Sequence, residues 1–251
     1  MKVSVITVSY NSAETIEATV QSVLSQMHRN IEYIIIDGRS KDNTVHIVNK
    51  YKDSIAVIVS EPDSGIYDAM NKGVALATGD IVGILNSDDF YADNNVIADV
   101  VKKFKDTDCD ALYADLVYVN REDTNQVIRV WSAGEYKPGR FLHGWMPPHP
   151  TFFVKKSVYN KLGAYNTSLR SAADYELMLR FIHKNKIALS YLPRIITKMR
   201  SGGQSNVSLR NRLKANIEDR VAWRMNDIKP SWYTLTWKPL SKVFQYLRKK
   251  K

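Results

Sequence analysis

The sequence predicts an α/β protein with a mostly parallel central sheet flanked by helices. Over the first half of the chain, four short β-branched or apolar runs alternate with three helical patterns, an order typical of βαβ units with right-handed crossovers. Each run ends in polar or acidic residues. Because ligands bind beyond the carboxyl ends of parallel strands, these polar ends predict one shared site.

The first βαβ unit lies at the start of the chain. A β-branched run over 3–9 predicts a strand, and apolar residues at helical spacing over 13–27 predict a helix. Asn11, with a glutamate three residues later, matches a capping box for that helix. A second strand over 31–36 ends at Asp37, which places this acid at the same edge.

Two further pairs of helix and strand continue the alternation. A helix over 45–51 leads to a strand over 55–59, which ends near Asp63. A helix over 66–77 then leads to a strand over 81–85. The polar ends of all these strands should therefore meet at one edge of a parallel sheet.

The last of these strands ends in Asn86, Asp88 and Asp89. Hard oxygen ligands suit Mg²⁺ or Mn²⁺, which leaves most of its coordination positions to water and substrate phosphates. The same residue types also cap helices, which is the alternative here. Because the chain has neither a dinucleotide fingerprint nor a P-loop motif, we predict that a metal at Asp88, with Lys72, holds the phosphates.

The pattern changes after the fourth strand. An amphipathic helix over 96–104 precedes two strands, over 112–119 and 126–131, which predict a mixed extension of the sheet. Residues 132–150 are rich in Gly, Pro, His and aromatic residues, and a loop of this length inside a compact domain is usually functional or mobile. His149 lies at its end, where a lone histidine serves either the active site or the structure.

Two later segments carry further candidates. Asp174 lies in the first turn of a helix that opens over 171–176, where an acid either complements the helix dipole or acts in catalysis. Gly202 and Gly203 form a polar, glycine-rich segment that is either a mobile loop near a substrate or an ordinary turn.

Five segments stand in a characteristic order along the chain. They are Val5 to Asn11, Asp37 to Ser40 with Asp42, Asp63 to Gly73, Gly79-Asp80 and Leu85 to Asp89. In this order they resemble the inverting GT-A glycosyltransferases of family 2, which make bacterial surface polysaccharides. The resemblance covers residues 1–206 and implies a nucleotide-sugar donor, Mn²⁺ or Mg²⁺, and transfer with inversion.

The resemblance also implies which residues bind the donor. In the family, the first two segments hold the nucleotide base and ribose, and the D-x-D segment binds the metal. Here Asn86 replaces the first carboxylate, so Asp88 is the expected direct ligand. The donor-binding set is Tyr10, Asp37, Asp63, Asp68, Lys72, Asn86 and Asp88.

The acceptor side follows from the same resemblance. Asp174 falls where the family has its catalytic base, although Ala173 replaces the glutamate of many members. His149 takes a position at which the family often has a polar active-site residue. Gly202 and Gly203 correspond to a glycine-rich loop that closes over the donor.

The net charge of +10 is concentrated at the C-terminus. Residues 208–251 carry twelve Lys and Arg against three Asp and Glu, whereas the preceding residues are nearly neutral. We therefore divide the chain into a GT-A domain over 1–206 and a basic amphipathic helical tail over 207–251. Within the domain, residues 1–93 form the nucleotide-binding half and 94–206 the acceptor half.

The tail combines basic and aromatic residues, a composition typical of peripheral contact with anionic membranes. A helix that packs on the domain is the alternative. A nucleic-acid binder would spread basic residues over the whole domain, so no nucleic-acid partner is expected. The chain has no signal-peptide pattern and a single cysteine, Cys109, which predicts a cytoplasmic protein at the inner face of the membrane.

These inferences combine into one functional hypothesis. The chain should be an inverting hexosyltransferase that uses a nucleotide sugar, most simply a UDP-sugar, and a glycan or lipid-linked saccharide acceptor. Asp174 would act as the general base and a metal would assist departure of the diphosphate. The alternatives are a nucleotidyltransferase on a similar sheet, and a nucleic-acid or membrane binding module whose acidic edge is incidental.

Overall fold

A computed structural model describes residues 1–202, 209–230 and 234 and confirms the α/β class. The strands are β1 (Val3–Ser9), β2 (Ile31–Asp37), β3 (Val57–Ser60), β4 (Ile81–Ile84), β5 (Asp89–Tyr91), β6 (Ala111–Val119), β7 (Val127–Trp131), β8 (Phe153–Lys155) and β9 (Leu189–Arg200). The helices are α1 (Ile16–Leu24), α2 (Thr44–Asn49), α3 (Ile66–Leu76), α4 (Val96–Thr107), α5 (Lys156–Leu162), α6 (Ala173–Met178) and α7 (Leu209–Met225). A π-helical turn, Leu179–Lys184, continues α6.

The strands form one mixed sheet in the order β3-β2-β1-β4-β8-β6-β9-β5, with β7 paired to β6. The strands β3, β2, β1 and β4 are parallel, as the alternating pattern predicts. The strand β8 is antiparallel to β4 and β6, and β5 is antiparallel to β9. The parallel strands therefore end at one edge of the sheet, where polar residues follow each of them.

Helices cover both faces of the sheet, because alternate residues of a strand point to opposite faces. On one face, Ile6 and Val8 of β1 belong to a buried cluster that includes residues of α3 and α6. On the other face, Val3 and Val5 belong to a second cluster with residues of α1 and α4. Strand β1 is therefore buried from both sides, which fixes the position of the loop that follows it.

Three short elements were not predicted from the sequence. The strand β5 begins at Asp89, where we expected only a polar turn, and it pairs with β9 through Asp89 and Met199. The strand β8 and the helix α5 lie in a region for which no element was predicted. Elements of this length show no clear period, and the place of β8 depends on pairing with distant strands.

The capping box predicted at Asn11 is wrong. Helix α1 begins at Ile16, and its N-cap, Thr15, makes no capping hydrogen bond through its side chain. Asn11 instead has a φ of +49°, and its side-chain oxygen accepts a hydrogen bond from the backbone N–H of Lys41 at 2.8 Å. The polar residues after β1 therefore join two loops at the sheet edge instead of starting a helix.

The predicted C-terminal helix is present as α7, and one side of it packs on the domain. Trp223 is fully buried, and its indole N–H donates a hydrogen bond to the hydroxyl of Tyr175 at 2.9 Å. The carboxylate of Glu218 accepts hydrogen bonds from the backbone N–H groups of residues 170–172 at 3.2, 2.7 and 3.0 Å. This helix therefore follows the packing alternative and holds the segment that precedes α6.

The opposite side of α7 is exposed. It presents two apolar and two basic side chains at helical spacing, namely Ile217, Arg220, Arg224 and Met225. In the part of the chain that the structure describes, no helix has the length and apolar character needed to cross a membrane.

A glycine within β4 makes room for an aromatic side chain of β8. A Cβ atom added at Gly83 would lie 2.3 Å from the ring of Phe153, which is 1% exposed. We expect Gly83→Ala to lower the free energy of unfolding by about 1–3 kcal/mol, because the core has no space for the added methyl group. Urea denaturation of the two proteins measures this difference.

The double variant Gly83→Ala with Phe153→Leu is the matched control, since the smaller side chain relieves the contact. It should recover part of the loss seen with Gly83→Ala. A single variant as stable as the original protein would show that Phe153 moves away without cost.

Candidate active site

A cavity of about 900 Å³ opens at the carboxyl ends of the four parallel strands. Most of its wall is formed by residues at or just after the ends of β1, β2, β3 and β4, and Arg121, Met199 and Gly202 add to it from later in the chain. This volume is typical of sites that enclose a small-molecule ligand. The cavity lies where the alternating strand and helix pattern predicts a binding site.

The structure brings together part of the predicted site. The predicted residues that line the cavity are Tyr10, Asp63, Asn86, Asp88 and Gly202. Those that lie outside its lining are Asp37, Asp68, Lys72, His149 and Asp174. Gly203 lies outside the described residues.

Asp37 lies below the cavity wall and is only 1% exposed. Its carboxylate accepts hydrogen bonds from the hydroxyls of Ser9 at 3.0 Å, Ser40 at 2.5 Å and Ser60 at 2.7 Å. It also accepts one from the backbone N–H of Ser40 at 2.9 Å. Asp37 therefore ties the ends of three parallel strands together and orders the loop after β2.

Lys72 and Asp68 hold a neighbouring part of the wall. The ammonium of Lys72 lies 2.8 Å from the Glu61 carboxylate and donates to the carbonyl of Pro62 at 2.9 Å. Asp68 accepts a hydrogen bond from the backbone N–H of Ser64 at 3.0 Å and lies 3.6 Å from Lys72. These contacts fix the loop between β3 and α3, which carries Asp63 into the cavity.

Tyr10 and Asp63 approach each other across a glycine. A Cβ atom added at Gly38 would lie 2.3 Å from Oδ2 of Asp63 and 3.4 Å from the ring of Tyr10. Tyr10 is 53% exposed, and its aromatic ring suits stacking against a planar ligand. An aromatic ring beside a carboxylate suits a nucleoside, through stacking on the base and hydrogen bonds to its polar groups.

Asp88 and Asp89 form an acidic edge of the site at the end of β4. Asp89 is fully buried, and burial together with the charge of Asp88 raises the pKa of Asp89 well above its ordinary value. Burial also raises the pKa of Asp88, while the positive charges of Arg121 and Arg200 act in the opposite direction. The amide of Asn86 donates to Oδ2 of Asp89 at 3.2 Å.

This edge has the donor atoms that a divalent cation needs. Among the described residues, Oδ1 of Asn86 and Oδ1 of Asp89 are buried and make no hydrogen bond. Asp88 adds a carboxylate that lines the cavity, and oxygen atoms of this kind suit Mg²⁺ or Mn²⁺. Within the described ranges, no group of three or more His, Cys, Asp or Glu could hold a metal. The residues therefore fit a cation whose remaining ligands come from substrate and water.

Two arginines near this edge were missed by the sequence reasoning. The guanidinium of Arg200 donates to the backbone carbonyl of Asp88 at 2.8 Å and lies 4.8 Å from the centre of the Phe90 ring. Arg121 lines the cavity and forms an exposed ion pair with Glu14 at 3.0 Å. No local signal in the sequence marks either arginine, because the position of Arg200 depends on the pairing of β9 with β5.

Asp174 lies in the first turn of α6 and is half-buried. Its Oδ1 atom accepts a hydrogen bond from the hydroxyl of Tyr67 at 3.1 Å. Tyr67 follows Gly65 and Ile66, both of which line the cavity. Asp174 therefore contacts a residue that adjoins the part of the cavity wall contributed by α3.

His149 is buried away from the cavity wall. Its Nε2 atom lies 2.8 Å from the hydroxyl of Tyr165, and burial lowers the pKa of the imidazole, which favours the neutral ring. This placement agrees with the structural alternative. A direct role for His149 in the active site stays a prediction.

The fold and the site define the class of protein. The structure is similar to TarS 1-349 of S. aureus in complex with UDP-GlcNAc, with a TM-score of 0.70, 19% identity and coverage of 90% of this chain and 65% of that chain. It is also similar to the mannosyltransferase PcManGT of Pyrobaculum calidifontis in complex with GDP-Man and Mn²⁺, with a TM-score of 0.67, 19% identity and coverage of 100% and 76%. The fold is that of GT-A glycosyltransferases.

Sequence comparison gives the family. The pattern of glycosyl transferase family 2 matches residues 4–165. An uncharacterized glycosyltransferase of Mycobacterium tuberculosis is 35% identical over 180 residues, which are 71% of this chain and 68% of the relative. The UDP-Glc:alpha-D-GlcNAc-diphosphoundecaprenol beta-1,3-glucosyltransferase WfaP of Escherichia coli is 30% identical over 72% of this chain and 70% of its own length. The chain belongs to glycosyl transferase family 2, and the resemblance and the enzyme class predicted from its motifs are confirmed.

Proposed function

We propose that this glycosyltransferase moves a hexose from a UDP-sugar to a saccharide or lipid-linked saccharide with inversion of configuration. The observation that supports the proposal is the convergence of Tyr10, Asp63, Asn86 and Asp88 in one cavity. Asp174 is joined to this region by its hydrogen bond with Tyr67, which follows two lining residues. The E. coli relative acts on UDP-Glc and a diphosphoundecaprenol-linked sugar, as its name states. It is this relative that favours a UDP-hexose and a lipid-linked acceptor here.

The donor would bind along the edge of the parallel sheet. Tyr10 would stack on the nucleotide base, and Asp63 would accept hydrogen bonds from the base or ribose. Asp37, Asp68 and Lys72 would act on the donor through the loops that they hold, since their side chains lie outside the cavity lining.

Asp88, with the oxygens of Asn86 and Asp89, would hold Mn²⁺ or Mg²⁺. When bound, such a cation neutralises charge that develops on a departing diphosphate. Arg121 lies in the same wall and would add a positive charge near the phosphates.

The reaction itself needs a base on the acceptor side. An acceptor hydroxyl attacks the anomeric carbon, the bond from that carbon to the diphosphate oxygen breaks, and the nucleoside diphosphate leaves. Asp174 takes the proton of the attacking hydroxyl. A single displacement of this kind inverts the configuration at the anomeric carbon.

We expect Asp88→Asn to abolish metal-dependent nucleotide binding and to lower turnover by about 10²-fold or more, because it removes a charged oxygen ligand from the cavity wall. Calorimetric titration with UDP in the presence and absence of Mn²⁺ measures the binding. Asp53→Asn, at an exposed acid after α2, is the matched control and should bind as the original protein does. An unchanged Mn²⁺ dependence in Asp88→Asn would contradict the metal assignment.

For Asp174→Asn, we expect donor affinity close to that of the original protein and turnover lower by about 10²-fold or more, the effect of losing a general base. Turnover is measured with a labelled UDP-sugar, and release of UDP rather than pyrophosphate distinguishes glycosyl from nucleotidyl transfer. If turnover falls by less than about fivefold, the base lies elsewhere, since loss of a general base has a larger effect.

The tail would place the enzyme at the cytoplasmic face of an anionic membrane. The exposed side of α7 is apolar and basic, and residues 236–251 add six Lys and Arg without an acid. Each basic residue near an anionic surface contributes about 1 kcal/mol to binding. Residues 235–251, on which this interpretation also depends, lie outside the described residues.

We expect deletion of residues 236–251 to release the protein from anionic vesicles while activity on a soluble acceptor is kept, because α7 and its buried contacts stay intact. Vesicle flotation at low and high salt measures the binding, with neutral vesicles as the control. If the full-length and truncated proteins float equally, or if neither floats, these residues do not bind the membrane.

A further inference from the structure

One hydrogen bond joins the donor half of the fold to the proposed base. The hydroxyl of Tyr67 donates to Oδ1 of Asp174 at 3.1 Å, across 107 positions of the chain. Tyr67 comes from the first turn of α3, and the two residues before it, Gly65 and Ile66, line the cavity. The side chain that contacts Asp174 is therefore carried by the same turn that forms the donor wall.

The ring of Tyr67 is held rigidly. It is 9% exposed and stacks on the ring of Tyr165, with centroids 5.7 Å apart and an interplanar angle of 20°. The backbone of Tyr165 is fixed by two hydrogen bonds with the side chain of Asn71, both 2.8 Å long. Asn71 lies one turn after Tyr67 on α3, so the helix and the stacked ring together set the direction of the Tyr67 hydroxyl.

In this pair Tyr67 is the hydrogen-bond donor and Asp174 is the acceptor. Burial and the charge of Asp174 raise the pKa of Tyr67 far above its ordinary value, so the phenol keeps its proton and acts as the donor. A hydrogen bond donated to a carboxylate favours its charged form, which is the form that accepts a proton. The other ionisable groups around the pair are His149, Tyr165 and Glu218.

We propose that Tyr67 is a positioning residue for the general base: its hydroxyl holds Oδ1 of Asp174, so that the other carboxylate oxygen faces the acceptor hydroxyl. The inference rests on the proposed role of Asp174. It assigns to the tyrosine a task beyond packing, because the aromatic ring alone would fill the same space.

The variant Tyr67→Phe tests the proposal, since it keeps the stacked ring and removes only the hydroxyl. We expect kcat to fall by about tenfold with the KM for the donor unchanged, the scale expected for one hydrogen bond to a charged group. Calorimetric titration with UDP verifies that donor binding is kept.

Tyr33→Phe is the matched control. Tyr33 is also buried, and its hydroxyl lies 3.1 Å from Oγ1 of Thr7, a neutral partner in β1. This variant should leave kcat unchanged. An equal loss of kcat in both variants would show that the effect of Tyr67→Phe comes from packing, and it would overturn the proposal.

Combining Tyr67→Phe with Asp174→Asn separates this proposal from the one on which it rests. If Tyr67 acts through Asp174, its substitution adds no further loss once Asp174 has been changed. Full additivity, or an unchanged kcat in Tyr67→Phe, overturns the positioning role while the base assignment stands. Normal turnover in Asp174→Asn alone overturns the base assignment instead.

Discussion

The structure is organised around two adjacent carboxylates at the end of β4. Asp89 is fully buried beside Asp88, and burial together with the neighbouring charge raises its pKa well above the ordinary value. Pairing of β5 with β9 brings the guanidinium of Arg200 to the backbone of Asp88, which offsets this charge in part. Because burying an ionised carboxylate costs several kcal/mol, a buried carboxyl stays neutral unless a positive charge lies beside it. The end of β4 is therefore where we propose that a metal and the donor diphosphate bind.

The first turn of α3 connects this edge with the acceptor side. The ammonium of Lys72 holds the carbonyl of Pro62, and Asp63 and Gly65 extend from the same loop into the cavity. Tyr67, in the same turn, is buried and donates a hydrogen bond to Asp174. A shift of the turn would therefore move the cavity wall and the carboxylate of Asp174 together.

The parallel half of the sheet could be predicted because each of its elements has a period of its own in the sequence. The same reasoning placed Tyr10, Asp63 and Asp88 in the cavity wall. It did not reveal that Asp37 turns inward, because the serine hydroxyls that bind it come from three separate segments. Arg200 could not be placed either, since its position depends on the pairing of β9 with β5 and not on any local pattern.

The helix α7 was also only partly predictable from the sequence. Composition marks it as basic and amphipathic, but its two sides have different tasks that composition does not separate. Glu218 and Trp223 face the domain. There the carboxylate of Glu218 accepts hydrogen bonds from residues 170–172, directly before α6. Ile217 and Arg224 face outward. A surface that bound the outer side would therefore be linked through one helix to the segment that carries Asp174.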